Sequence, residues 1–204
     1  MSKQALYTRI GVMLIITLVF VGSALAQEEA QLLEEAKTLL AEGNLEEAQV
    51  TLEAVRLSLW NKLPMRVEKV TFVEEEPQSF GFFRKRSSNL FAGGERILLY
   101  GEPKNYTILH EDNLCHIFFV ADAKLYDGEG NLLASQEEFL SARYATQSPV
   151  FEVFLNLSFG LTGLEAGAYV IEVLLRDKFS EKSARFRMPF KVGEDHLGIE
   201  GDML

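Results

Sequence analysis

Apolar positions from Glu28 to Trp60 recur with a helical period. Leu32, Ala36 and Leu39 are spaced by four and three, with Leu33 and Leu40 beside them, and Leu45, Ala48, Leu52, Val55 and Leu59 continue the spacing. Gly43-Asn44 interrupts the run, and glycine tolerates the left-handed backbone that ends a helix. The pattern predicts a helical hairpin over 27–62.

From Met65 the period becomes two. Cys115, Ile117, Phe119, Ala121, Ala123 and Leu125 form an apolar row opposite His116, Phe118, Val120, Asp122, Lys124 and Tyr126. Phe151 to Phe159, Tyr169 to Leu175 and Ala184 to Val192 repeat the alternation. Shorter runs at Arg66–Glu74, Phe80–Arg84, Arg96–Gly101 and Leu132–Phe139 are further strand candidates. About eight strands joined by turn-rich connections imply a mainly β fold, an antiparallel β-sandwich of immunoglobulin-like type over 65–192, rather than alternating strands and helices.

Gly93-Gly94 stands before one of these strands. A phosphate-cradling loop needs its glycines between a strand and a helix N-terminus, with a lysine aimed at the phosphates. Here the glycines lead directly into Arg96–Gly101, and Glu95 sits where a phosphate would lie. The pair is expected to be a structural turn.

The N-terminus has a different character. Lys3 and Arg9 precede the apolar run Ile10–Val21, and Ala24-Leu25-Ala26 supplies the small residues of a cleavage site, so 1–26 reads as a signal peptide cut before Gln27. The alternative is a retained anchor, since Ile10–Ala26 is near the lower limit of about 17 residues for a membrane span. Cleavage would place the protein in the periplasm or the medium and leave no membrane association. Residues 193–204 read as a flexible acidic tail.

The chain carries 20 basic against 30 acidic residues, a net charge of −10, and loss of Lys3 and Arg9 makes the balance more negative. That balance argues against nucleic acid and anionic membranes as partners. Cys115 is the single cysteine, so the fold must rest on an apolar core without an internal disulfide.

Two stretches carry resemblances. "AKTLLAEGNLEEAQVTLEAV" resembles one tetratricopeptide-type unit, with Ala36 and Ala48 where the helices would approach. Arrays of such units need about three copies to bury their faces, and there is no second copy, so the apolar stripe must pack on the downstream domain, on a second chain or on a partner. "LTGLEAGAYVIEVLLRDKFSEKSARFRMPFKV" resembles the last hairpin of bacterial immunoglobulin-like or fibronectin-type modules. That resemblance implies a tyrosine corner at Tyr169, whose hydroxyl would bond back to the chain. Val67 to Val192 also resembles a group of exported bacterial proteins of uncharacterised function, which implies a fold and an address but no activity.

Candidate chemistry is sparse. His110, Cys115 and His116 are near in sequence, but Cys115 and His116 point to opposite faces of a strand, so no metal site is expected. Asp127-Gly-Glu-Gly-Asn131 begins like a calcium loop and then enters a strand without the later glutamate, which favours a hairpin turn. There is no G-x-S-x-G or H-E-x-x-H motif, and neither an enzyme nor a cofactor is expected.

The surface carries the remaining signal. In "FGFFRKRSSNLF", Phe82 and Phe83 adjoin Arg84, Lys85 and Arg86; exposed, the group could stack on a sugar or grip an acidic partner, and buried, its rings would fill the sandwich. Leu45, Leu52 and Trp60 are the corresponding candidates on the hairpin. The expectation is a non-enzymatic interaction module docking on an envelope protein or on itself, with a glycan or other small ligand as the alternative partner.

Overall fold

A computed structural model describes residues 27–160 and 162–193. The expected signal peptide and the tail beyond Gly193 lie outside the described residues. The chain divides into two compact units at Leu59/Trp60.

In the first unit, α1 covers 27–42 and α2 covers Leu45–Lys62, whose last turn belongs to the second unit. Gly43 ends α1 at φ 82°, and the Asn44 N–H closes on Leu39 O at 2.9 Å, satisfying a carbonyl that the helix would strand. Glu46 and Glu47 open α2 and Lys62 closes it, matching the helix dipole at both ends. Among the described residues of this unit the buried hydrophobic ones are Ala36, Ala48 and Val55. Small side chains let two helices approach closely, but they remove little apolar area from water.

The second unit is mainly β. Its strands are β1 (Arg66–Phe72), β2 (Leu90–Phe91), β3 (Arg96–Lys104), β4 (Leu109–Glu111), β5 (Leu114–Asp127), β6 (Leu132–Thr146), β7 (Leu155–Gly160), β8 (Gly167–Asp177) and β9 (Ser183–Val192). One sheet has the order β1-β3-β7. The other runs β2-β9-β8-β5-β4, with β6 also paired to β5. All pairings are antiparallel except the short β2–β9 contact. The fold is an immunoglobulin-like β-sandwich, and the chain as a whole joins it to an N-terminal helical hairpin.

The alternating rows supply its core. Ile117, Phe119 and Ala121 of β5, Ile171, Val173 and Leu175 of β8, and Ile97 and Leu99 of β3 are all 2% exposed or less. Each large side chain so buried contributes about 1.5–3 kcal/mol of transfer free energy. Tyr106 lies edge-on to Phe119, while Phe91 contacts both Phe72 and Phe190.

Three local expectations are corrected. Phe80–Arg84 is not a strand: within it only Phe82 forms an isolated bridge, to Ser79, and Lys85 just beyond it bridges Val73, because a tight turn at Gly81 (φ 73°) breaks the extended run. The row Phe151–Phe159 becomes a strand only at Leu155, where pairing with β3 begins. The strand expected to end at Phe139 continues to Thr146 across a bulge. There Glu138 takes φ 48°, and its N–H donates to Asp122 Oδ1, which also accepts from Arg176. A bulge hides a strand's continuation because it breaks the two-residue period.

Candidate functional site

The loop between β1 and β2 carries the aromatic and basic cluster, and the structure separates its members. Glu74 N–H donates to Arg84 O at 3.0 Å and Arg86 N–H to Phe72 O at 2.9 Å, pinning the two ends of the loop together. Within it, Phe82 N–H donates to Ser79 O and Gly81 N–H to the Tyr100 hydroxyl at 2.8 Å. Phe83 stacks on Tyr100 with centroids 4.2 Å apart, and Tyr100 stacks in turn on Phe154. Phe82 alone of the neighbouring rings projects outward, 77% exposed.

Beneath the loop lies a buried polar anchor. Glu102 is 1% exposed and accepts from the Tyr100 hydroxyl at 2.9 Å and from Lys69 Nζ at 3.0 Å, with Lys104 Nζ at 3.4 Å. Burial pushes the Glu102 carboxyl upward, but the bonds from Lys69 and Tyr100 and the charge of Lys104 outweigh it and hold the group below its ordinary value. Burial, opposed by the Gly81 N–H and assisted by Glu102, raises the Tyr100 phenol to about 12. Lys104 also sits 4.6 Å from the centre of the Phe80 ring. The expected burial of these rings in the sandwich core is therefore corrected for Phe80 and Phe83: they pack, half-buried, on a tyrosine and two lysines.

The basic triplet is mostly committed. Arg84 pairs with Glu74 at 3.5 Å and Glu75 at 3.7 Å. Arg86 forms a two-pronged bond with Glu95, donates to Leu90 O and lies 4.2 Å from the centre of the Phe91 ring. Lys85 is exposed. Arg86 is thus a post of the Gly93-Gly94 turn rather than part of an open cationic surface. In that turn Gly94 has φ 72°, and the Glu95 carboxylate accepts the Ala92 N–H at 2.8 Å.

Around Phe82 is a cleft of about 380 Å³ lined by Glu75, Glu76, Pro77, Gln78, Phe83 and Arg84. Glu76 is ion-paired with Arg96. A second depression, about 470 Å³, lies along β6 and the approach to β7, where Ile117, Leu140, Ala142, Tyr144, Val153 and Leu155 form an apolar wall interrupted by Glu152. Its β6 members were illegible in the sequence, because they follow the bulge. Their alternate placement at 140, 142 and 144 was the available signal.

On the hairpin, Leu45 is 65% exposed and Leu52 42%, and Leu33, Leu40, Val50 and Leu59 are exposed with them. Trp60 does not join this surface, contrary to expectation. Its ring is half-buried, edge-on to Tyr106 at 5.1 Å and to Phe151 at 4.9 Å within the second unit. Nearby, Asn61 bonds both backbone groups of Ile108, and Lys182 Nζ donates to Asn61 O and Asn105 O.

The remaining candidates are structural. The Tyr169 hydroxyl donates to Glu165 O at 2.8 Å, and the ring stacks on Phe190. Cys115 is buried among the core residues. Asp127 turns its oxygens onto the N–H groups of Glu129 and Asn131 and the Asn131 amide, closing a hairpin turn on itself. Bonds from Asn131 hold its carboxyl below the ordinary value. Among the described residues no three His, Cys, Asp or Glu side chains converge as metal ligands, and no helix is long and apolar enough to cross a membrane.

No family model matches the chain, and no curated protein matches it. Solved structures give slight likenesses. An alkylpurine DNA glycosylase from Pseudomonas fluorescens is 12% identical with a TM-score of 0.35, covering 68% of this chain and 33% of its own. The PKD domain of an M14-like peptidase from a Thermoplasmatales archaeon is 11% identical with a TM-score of 0.34, covering 65% and 98%. A sporulation control protein from Bacillus subtilis is 9% identical with a TM-score of 0.36, covering 64% and 50%. This chain thus spans only a third of the glycosylase, and likenesses this slight assign no activity.

Proposed function

We propose that this protein is a non-enzymatic interaction module of the periplasm or the medium, which docks on another envelope protein through its helical hairpin. The observation that carries this reading is the set of solvent-exposed leucines seven residues apart along each helix, Leu33 and Leu40 on α1 and Leu45, Leu52 and Leu59 on α2. Exposed leucines occurring singly are ordinary on a protein surface; several on one short hairpin, whose buried hydrophobic residues are two alanines and a valine, support reading it as an interaction surface. The hairpin resembles one tetratricopeptide-type unit, a shape that ordinarily buries its faces against neighbouring copies. A partner would supply that missing neighbour.

The test is co-purification from the envelope of the bacterium that makes it, comparing the native chain with a Leu45→Glu/Leu52→Glu variant. Loss of one specific companion with an unchanged melting point is the expected result. Equal recovery by both chains would overturn the docking surface. The address rests on the charged start, apolar middle and small-residue site of residues 1–26. N-terminal sequencing should find a chain beginning near Gln27 and released by osmotic shock, and Met1 retained in a membrane fraction would refute export.

A further inference from the structure

We infer that the Phe82 cleft binds a neutral carbohydrate, with the Phe82 ring as the stacking platform for a pyranose face. This goes beyond docking through the hairpin and involves none of the same residues.

The inference starts from how the loop places its aromatic residues. Phe83 is consumed by its stack on Tyr100 and Phe80 by the Lys104 ammonium above it. Phe82 receives no such packing, although its backbone is as firmly held: its own N–H is bonded to Ser79 O, and the preceding N–H to a tyrosine hydroxyl that is itself tied to a buried carboxylate. A large apolar ring is therefore held out in water by a fixed backbone. Because the backbone that carries the ring is already ordered, a flat ligand that covers it has only the side-chain rotamers left to restrict, which favours net affinity from stacking.

The polar rim decides the class of ligand. Glu75 and Glu76 bring carboxylates to the cleft, but Arg84 and Arg96 answer them, so the site has no strong net charge with which to select an ion. What remains is a mixture of acceptors in the carboxylates, donors in the Arg84 guanidinium, and both in the Gln78 amide. Paired donors and acceptors around an apolar platform suit adjacent hydroxyl groups, each of which donates one hydrogen bond and accepts others. The cleft volume of about 380 Å³ falls in the range of small-ligand sites, about 300–1,000 Å³. The ligand class is thus set by Phe82 with the Glu75 and Glu76 carboxylates, the Gln78 amide and the Arg84 guanidinium; of the rest of the basic triplet, Arg86 is bound up in the Glu95 turn and Lys85 does not line the cleft.

The full chain should be titrated by heteronuclear NMR with three neutral probes, cellotetraose, chitotetraose and maltotetraose, and with a sulfated heparin tetrasaccharide as a charged control. At least one neutral probe is expected to bind with a Kd in the millimolar range or tighter, shifting the amides of residues 75–84. Phe82→Ala should weaken it at least tenfold, Phe82→Trp should preserve it, and Gln78→Ala should weaken it several-fold. Because both side chains are exposed, the melting temperatures should be unchanged. Absence of binding by all three neutral probes would overturn the inference, as would binding indifferent to Phe82→Ala or preference for the heparin probe. Loss of a protein companion on Phe82→Ala without sugar binding would show that the ring serves a protein contact instead.

Discussion

The two units spend their apolar residues in opposite ways. In the sandwich, a two-residue period sends Ile117, Phe119, Ile171, Val173 and Leu175 inward, and the fold absorbs them almost completely. In the hairpin, the apolar positions cover more of the helix surface than one seam can bury. The small residues Ala36 and Ala48 are taken inside while leucines stay in water. The sandwich is therefore held by its own core. The hairpin carries apolar surface beyond what its buried residues use, and the docking proposed for it rests on that excess.

The contrast is most severely tested where the effect is largest. Phe119→Ala, at a fully buried ring, should cost about 3–5 kcal/mol in chemical denaturation, through lost burial and a cavity. A cost below 1 kcal/mol would show that the sandwich core is looser than its burial implies. Next comes the Glu102 anchor. Its carboxyl is held below the ordinary 4.5 in the folded chain, so its contribution is complete above 4.5 and disappears as pH falls through the lower folded value. Glu102→Gln should lower stability at neutral pH by about 1–3 kcal/mol and flatten the acid limb of the stability profile. An unchanged acid limb would remove the carboxylate from the account of that limb.

Smaller effects sharpen the comparison from the surface. Tyr169→Phe removes the hydroxyl bond to Glu165 O and should cost about 1 kcal/mol, measured by thermal melting. An unchanged melting point would deny the corner a stabilising role. Leu45→Glu with Leu52→Glu should shift stability by no more than about 0.5 kcal/mol each, since both side chains are exposed.

The strands were legible where the two-residue period was unbroken and the turns carried glycine, as in β5, β8, β9 and the Gly93-Gly94 entry to β3. The signal failed at Glu138, because a bulge inserts residues and resets the period, hiding the continuation of β6 to Thr146 and with it Leu140, Ala142 and Tyr144 of the apolar depression. The aromatic loop was legible as composition but not as geometry. Nothing in "FGFFRKRSS" says that Phe83 will find Tyr100 while Phe82 finds water, since that depends on a tyrosine nineteen residues beyond Gly81, whose hydroxyl takes the Gly81 N–H and whose ring takes Phe83. The charges misled for the same reason: Arg84 and Arg86 looked unopposed only because Glu74, Glu75 and Glu95 reach them through the fold. Trp60 read as one more residue of the helical stripe, and its packing on Tyr106 and Phe151 depends on contacts 46 and 91 positions away.

Docking through the hairpin is tested most directly by placing a photoreactive amino acid at Leu45 or Leu52 in the full-length chain and irradiating living cells. The account predicts a covalent adduct with one other envelope protein from both positions, and none from Arg185 on the outer face of β9. Crosslinks confined to residues 60–193 of the same chain, or no adduct at either leucine, would contradict it.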